Sequence, residues 1–108
     1  MTDVGAFSIS SEMDGPRAVM RLVGDLDLST APRVREEIVA LLDHGVIELV
    51  LDLADLDFID SSGLSVLIIA LKRLRERQGD LRLRSVPARV QRVLEASGLD
   101  RVIPTVEH

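Results

Sequence analysis

The run Val46-Ile47-Glu48-Leu49-Val50-Leu51-Asp52-Leu53 constrains the fold of this chain more than any other stretch. It is almost continuously apolar. That is how a strand buried on both faces reads, as in a parallel sheet covered by helices. The flanking segments carry a different period. Before it, Val34, Ile38, Leu41 and Leu42 recur at helical spacing, with Arg33, Arg35, Glu36 and Glu37 on the wet side. Ser29 or Thr30 can cap that helix, Pro32 suits its first turn, and His44-Gly45 ends it. After it, a second helical pattern runs from about Ser62 to Arg77 and closes at Gly79. A buried strand between two helices implies crossover connections and parallel pairing.

The remaining segments extend this frame. Phe7 to Met13 places Phe7 and Ile9 on one side of a short alternation, Asp14-Gly15-Pro16 reads as a turn, and Ala18 to Gly24 is β-rich. These form an antiparallel hairpin. Gly24 to Thr30 reads as a polar crossing loop, and Ala54 to Phe58 as a link. Leu81 to Ser85 alternates cleanly, as a strand with one solvated face. Pro87 opens a third helix with Val90, Val93 and Leu94 inward, and Gly98 caps it. In the tail that follows, Val102 and Ile103 can dock. The expected architecture is a single α/β domain spanning residues 1–108: a mixed sheet of four to five strands, helices packed against it, order β-β-α-β-α-β-α.

Composition excludes several functions. The net charge is −5 and only Phe7 and Phe58 are aromatic, which argues against a nucleic-acid binder or a base-stacking platform. The chain has no cysteine, so it has no disulfide, thiol nucleophile or thiolate metal site. The longest apolar-rich run, Leu64 to Leu71, is too short to span a bilayer, and Met1-Thr2-Asp3-Val4 lacks the basic start of a signal peptide. These features lead us to expect a soluble cytoplasmic domain.

Chemistry concentrates in Asp57-Phe58-Ile59-Asp60-Ser61-Ser62-Gly63-Leu64, where the strand gives way to the second helix. Ser and Asp before a helix are ordinary N-caps, each worth about 1 kcal/mol, and Gly63 suits tight packing at a turn. The same geometry favours an anion, because a helix N-terminus presents free N–H groups and roughly half a positive charge. A hydroxyl there is within reach of a kinase, and a phosphate would add about −1.5 to −2 charge to a surface already carrying Asp57 and Asp60. A catalytic serine fits poorly. The only histidines are His44, at a helix end, and His108, and no Gly-x-Ser-x-Gly elbow is present. Asp52, Asp55, Asp57 and Asp60 match no calcium-loop spacing, no phosphate-cradling glycine run occurs, and the single lysine, Lys72, is misplaced for a phospho-aspartate receiver. No catalytic residue, metal site or cofactor is expected. On the second helix Leu64, Leu67, Ile68, Leu71 and Leu74 form the core stripe. Val66 and Ile69 fall opposite, beside Arg73 and Arg77, where they meet either a partner or the tail.

Three motifs in order resemble the STAS domain of anti-sigma-factor antagonists. They are Gly24-Asp25-Leu26-Asp27 followed by Thr30-Ala31; Leu51-Asp52-Leu53 with Phe58-Ile59-Asp60-Ser61-Ser62-Gly63-Leu64; and Val90 to Leu99 ending Ala96-Ser97-Gly98-Leu99. The resemblance implies a binding protein, not an enzyme. It would bind an anti-sigma factor that is a Ser/Thr kinase, so that a sigma factor is released. Phosphorylation of Ser61, or alternatively Ser62, would end the complex, and a phosphatase would restore it. The resemblance points to Asp25, Asp60, Ser62, Gly63, Val66, Ile69 and Arg73 as partner-binding residues, and leaves Asp27 as a loop or capping residue. It is also compatible with a scaffolding module in a transporter or lipid-trafficking complex, in which Asp60-Ser61-Ser62-Gly63 is mainly a cap.

Overall fold

A computed structural model describes residues 6–106. The elements run β1 (Ser8–Asp14), β2 (Arg17–Leu26), α1 (Ala31–Asp43), β3 (Glu48–Ile59), α2 (Ser61–Glu76), β4 (Asp80–Arg84), α3 (Ala88–Ser97), a 3₁₀ turn (Leu99–Arg101) and β5 (Thr105–Val106). They form a five-stranded sheet in the order β1-β2-β3-β4-β5. β1 is antiparallel to β2 and every other neighbouring pair is parallel.

That topology decides where the helices go. Each parallel crossover steps one strand in the same direction across the sheet. Right-handed crossovers that all step the same way place their helices on the same face. The buried residues agree. Ala18, Met20, Leu22 and Leu26 of β2, Leu49, Leu51 and Leu53 of β3, and Leu81 and Leu83 of β4 join the inward residues of all three helices in one core cluster.

The expectation that β3 is buried on both faces is corrected: Glu48, Val50 and Asp52 on its other face are only half-buried. No helix lies over that face among the described residues. It is made compatible with water by cross-strand charges. Arg17 pairs with Glu48 (2.9 Å), Arg84 with Asp52 (2.9 Å) and Arg21 with Asp55. The structure also lengthens two strands. Gly24 to Leu26 belongs to β2, and the supposed link Ala54 to Phe58 belongs to β3. Between Arg21 and Val23 the β3 partner advances from Asp52 to Asp55; between Gly24 and Asp25 it advances from Leu56 to Phe58. Each step inserts one extra β3 residue, as a β-bulge does. The bulges keep Leu53, Leu56 and Ile59 on the core side although they are three residues apart.

Helix ends follow the expected glycines. Gly45 (φ +93°) and Gly98 (φ +80°) adopt the left-handed conformation that ends α1 and α3. Gly79 acts through space instead: a Cβ there would fall 1.8 Å from the Ile47 carbonyl oxygen. In the tail Ile103 is buried, but Val102 is exposed, its carbonyl accepting from Arg75 at 3.0 Å.

Candidate functional site

The C-terminal ends of β2 and β3 lie side by side, with Asp25 opposite Phe58 and Leu26 opposite Ile59. α1 and α2 therefore start at the same edge of the sheet. The two turns into these helices are built differently. After Leu26, Asp27 organises the turn: its Oδ1 accepts from the Ser29 N–H (2.9 Å), the Ser29 hydroxyl (2.7 Å) and the Thr30 N–H (3.3 Å). The Thr30 hydroxyl donates to the Asp25 carbonyl at 2.7 Å. The Ser29 hydroxyl, helped by the Ser29 and Thr30 N–H groups and opposed by desolvation, holds the Asp27 carboxyl below the usual aspartate range. Of the two roles expected for Asp27, loop or cap, it takes the first. Thr30 holds the N-cap position of α1. The expectation that a Ser29 or Thr30 side chain caps this helix is corrected, because no side-chain cap hydrogen bond forms there.

After Ile59 a single residue, Asp60, turns the chain into α2. Its extended backbone marks it as the N-cap, and its Oδ1 accepts from the N–H groups of Ser62 (2.8 Å) and Gly63 (3.2 Å). The Asp60 N–H donates back to the Leu26 carbonyl at 3.2 Å, tying the α2 start to the end of β2. The reading in which a serine side chain caps α2 is corrected here, because the carboxylate of Asp60 does so. Among the described residues neither the Ser61 nor the Ser62 hydroxyl makes a hydrogen bond. Ser61 is exposed at the first position of α2, while Ser62 is half-buried.

Gly63 is buried in the tightest contact of the junction. A Cβ there would lie 2.7 Å from Ile59 Cγ1, 2.8 Å from Leu26 Cγ and 3.0 Å from the Leu26 carbonyl oxygen. Its absent side chain lets α2 seat directly on β2 and β3. It holds the start of α2 against Leu26 at the end of β2 and Ile59 at the end of β3, and it is itself buried.

The face of α2 departs from the helical-wheel expectation. Val66 is 5% exposed and lies in the core, whereas Ile68 is 36% exposed. The buried stripe is Gly63, Val66, Leu67, Ala70, Leu71 and Leu74. This is wider than a single stripe centred on Leu64 and Leu71, because α2 packs both on the sheet and against α1. Val66 is covered by neither a partner nor the tail: it lies on the α1 side of α2. Ile69 is half-buried and Arg73 exposed.

Two exposed apolar residues near the junction escaped the sequence reading. Leu28, 76% exposed, stands in the turn before α1, and Phe58, 50% exposed, sits at the end of β3 opposite Asp25. The signal for both was available: each is an apolar residue inside an otherwise acidic or polar stretch. Between α1 and α2, below Leu28, runs a groove of about 680 Å³ lined by Pro32, Val39, Ser62, Val66 and Ile69 among others. His44, the one histidine among the described residues, hydrogen-bonds the Ala40 carbonyl (2.7 Å) at the C-terminal end of α1. It is at the wrong end of α1 to serve Ser61 as a base. Among the described residues no cluster of three or more His, Cys, Asp or Glu side chains could hold a metal ion, and no helix is long and apolar enough to cross a membrane.

This arrangement matches known proteins throughout its length. The STAS domain family model matches residues 7–108. The anti-sigma-B factor antagonist of Listeria monocytogenes is 36% identical, over 85% of this chain and 81% of its own. The anti-sigma F factor antagonist of Paenibacillus polymyxa is 33% identical, over 94% of this chain and 89% of its own. The fold is shared with an anti-sigma factor antagonist from Mycobacterium paratuberculosis (TM-score 0.84, 23% identity, 97% of this chain and 89% of that one). It is shared as well with the unphosphorylated form of SpoIIAA (TM-score 0.83, 24% identity, 94% and 88%). A SpoIIAA structure in the phosphorylated form aligns at TM-score 0.75 and 24% identity, over 95% of this chain and 91% of that one. With the Asp25 and Asp60 motifs side by side at one sheet edge and a family match covering every element, the chain belongs to the STAS domain family.

Proposed function

We propose that this protein is an anti-sigma factor antagonist. It is a regulatory binding protein that engages a kinase anti-sigma factor and is switched off by phosphorylation of Ser61. Relatives of that name at 33–36% identity, each aligned over more than four-fifths of both chains, support the class. One observation carries the switch. Asp60 supplies the α2 cap, so the Ser61 hydroxyl is exposed and free of any structural task.

The chemistry is phosphoryl transfer. The Ser61 oxygen attacks the γ-phosphorus of ATP bound to the kinase, the bond to the β-phosphate oxygen breaks, and the hydroxyl proton passes to a base on the kinase. The new phosphate then faces the ADP it came from. It also joins the carboxylates of Asp25, Asp57 and Asp60 at the same sheet edge. About two added negative charges in a desolvated contact oppose binding with little change inside the domain. A phosphatase reverses the state by hydrolysing the ester. Asp25, Ser62, Ile69 and Arg73 remain the candidate direct contacts, while Asp60, Gly63 and Val66 act by holding the junction in place.

The test is phosphate mapping. Incubation with the anti-sigma kinase and ATP should place one phosphate on Ser61 of the wild type and none on Ser61→Ala. Phosphate confined to Ser62, or no transfer at all, would refute the assignment. In the latter case a scaffolding STAS module becomes the better description.

A further inference from the structure

The face of the sheet that carries no helix among the described residues is striped with charge. β1 shows Glu12 and Asp14 there, and β4 shows Arg82 and Arg84; between them β2 carries Arg17 and β3 carries Glu48. The sign alternates from strand to strand: acidic, basic, acidic, basic. One row crosses the middle of this face. Glu12 is in register with Val19, Val19 with Val50, and Val50 with Arg82. Residues directly opposite one another share a face, and these four line one depression of about 450 Å³. The row is apolar at its centre and oppositely charged at its ends. Strands about 4.8 Å apart hold Glu12 and Arg82 roughly 14 Å from each other, too far to pair within one chain.

Symmetry selects what fits this pattern. A two-fold axis parallel to the strands, passing between β2 and β3, turns a second copy over so that β2 faces the other β3 and β1 faces the other β4. Acid then meets base along the stripes, Val19 meets Val50, and Glu12 meets Arg82 at both ends of the row. A two-fold across the strands would instead lay each stripe on itself, like charge on like. Facing sheets pack about 10 Å apart with their strands nearly aligned, a gap that one Glu and one Arg side chain bridge together. The inner charges are already balanced within the chain, since Arg17 pairs with Glu48 (2.9 Å), Arg84 with Asp52 (2.9 Å) and Arg21 with Asp55. Asp80, at the foot of β4, is engaged by Arg75 of α2 (3.6 Å) and stands outside the pattern.

We propose that this face seats a second copy of the chain, in an isologous dimer centred on Val19 against Val50 and closed at both ends by Glu12–Arg82 ion pairs. The proposal does not depend on the function proposed above. Ser61 begins a helix on the opposite face of the sheet, so both copies keep it exposed. A small and mostly charged contact gives a weak dimer, with a Kd of roughly 10 μM to 1 mM.

The experiment is sedimentation velocity on the full chain across that concentration range. Wild type, Glu12→Arg, Arg82→Glu, the double variant and an equimolar mixture of the two single variants are compared. Both positions are exposed, and circular dichroism confirms that each variant is folded. Wild type is expected to move from monomer to dimer as concentration rises, less so at high salt. Each single substitution sets like charges against each other at both ends and should weaken association by about tenfold or more. Mixing the two variants, or combining them in one chain, restores opposite signs and should recover the dimer. A wild type that is monomeric at every concentration overturns the proposal. So does a dimer that neither single substitution weakens, and so does a mixture that stays as monomeric as its components.

Discussion

Replacing Asp60 separates its structural task from its charge. In the native junction Asp60 Oδ1 satisfies two α2 N–H groups, those of Ser62 at 2.8 Å and Gly63 at 3.2 Å. Alanine leaves both donors without a protein partner at a half-buried position. Loss of an N-cap costs about 1 kcal/mol, up to about 2 in unfavourable sites, and the second donor places this cap in the upper half of that range. Asparagine keeps an amide oxygen in the same place and loses only the charge next to the helix dipole, worth about 0.3–1 kcal/mol. For a domain of this size each kcal/mol moves the melting temperature by roughly 4–8 °C. Asp60→Ala should therefore melt about 6–16 °C below wild type, and Asp60→Asn within about 8 °C of it. Urea denaturation followed by circular dichroism gives the free energies directly. If alanine proves as stable as wild type, the cap is not what holds α2 at this junction. If asparagine falls as far as alanine, charge rather than the acceptor oxygen is the stabilising element, and Ser61 sits in a different field from the one described.

Two further perturbations test the packing and the charged face. Val66→Asp places a carboxylate in the core between α2 and α1 and should unfold the protein or lower its melting point by more than 10 °C, whereas Ile68→Asp on the exposed face should be nearly neutral; circular dichroism melts of both decide which face of α2 is inside. For Asp52, partial burial pushes the carboxyl up, but the Arg84 hydrogen bond, the Ala54 N–H and the charges of Arg84 and Arg21 outweigh it and hold it below the usual range. A lowered folded value means that the stability is present above the unfolded pKa of about 4 and is lost as pH falls through the folded one. Asp52→Asn should thus be less stable than wild type at pH 7, with the difference closing below pH 4 in a pH series of urea midpoints. A constant difference across that range would show that the loss is packing, not charge.

Much of the architecture was legible because separate signals agreed. Val34, Ile38, Leu41 and Leu42 marked one face of α1, and all four are buried. Gly45 and Gly98 marked helix ends, and the alternation of Leu81 and Leu83 with arginines marked β4. The second half of β3 was hidden for a physical reason. Two bulges change the apolar spacing from two residues to three at Leu53, Leu56 and Ile59, and no period of two survives to be read. β5 is two residues long, too short to carry a pattern. The single-sided sheet was hidden too. Val50 looks like a core residue in sequence, and only register shows it on the side where Arg21, Asp52 and Arg84 meet water. At the site, the motif located the junction and Ser61, but it left the caps open. Sequence allows Asp60, Ser61 or Ser62 to occupy that role, since they are one residue apart. Geometry chose Asp60 and left the serines free. The groove could not be seen at all, because it is formed by α1 and α2 residues more than 20 positions apart in sequence, such as Val39 and Ile69.

The central claim is that charge on Ser61 governs partner binding while the fold stays as it is. The most direct measurement is the affinity of the ADP-loaded anti-sigma factor for this protein before and after enzymatic phosphorylation at Ser61, with a melting curve taken on each form. The account predicts a loss of at least a hundredfold in affinity and a melting temperature shifted by no more than a few degrees. Equal affinity for the two forms would contradict it, as would a loss of binding accompanied by unfolding of the phosphorylated protein.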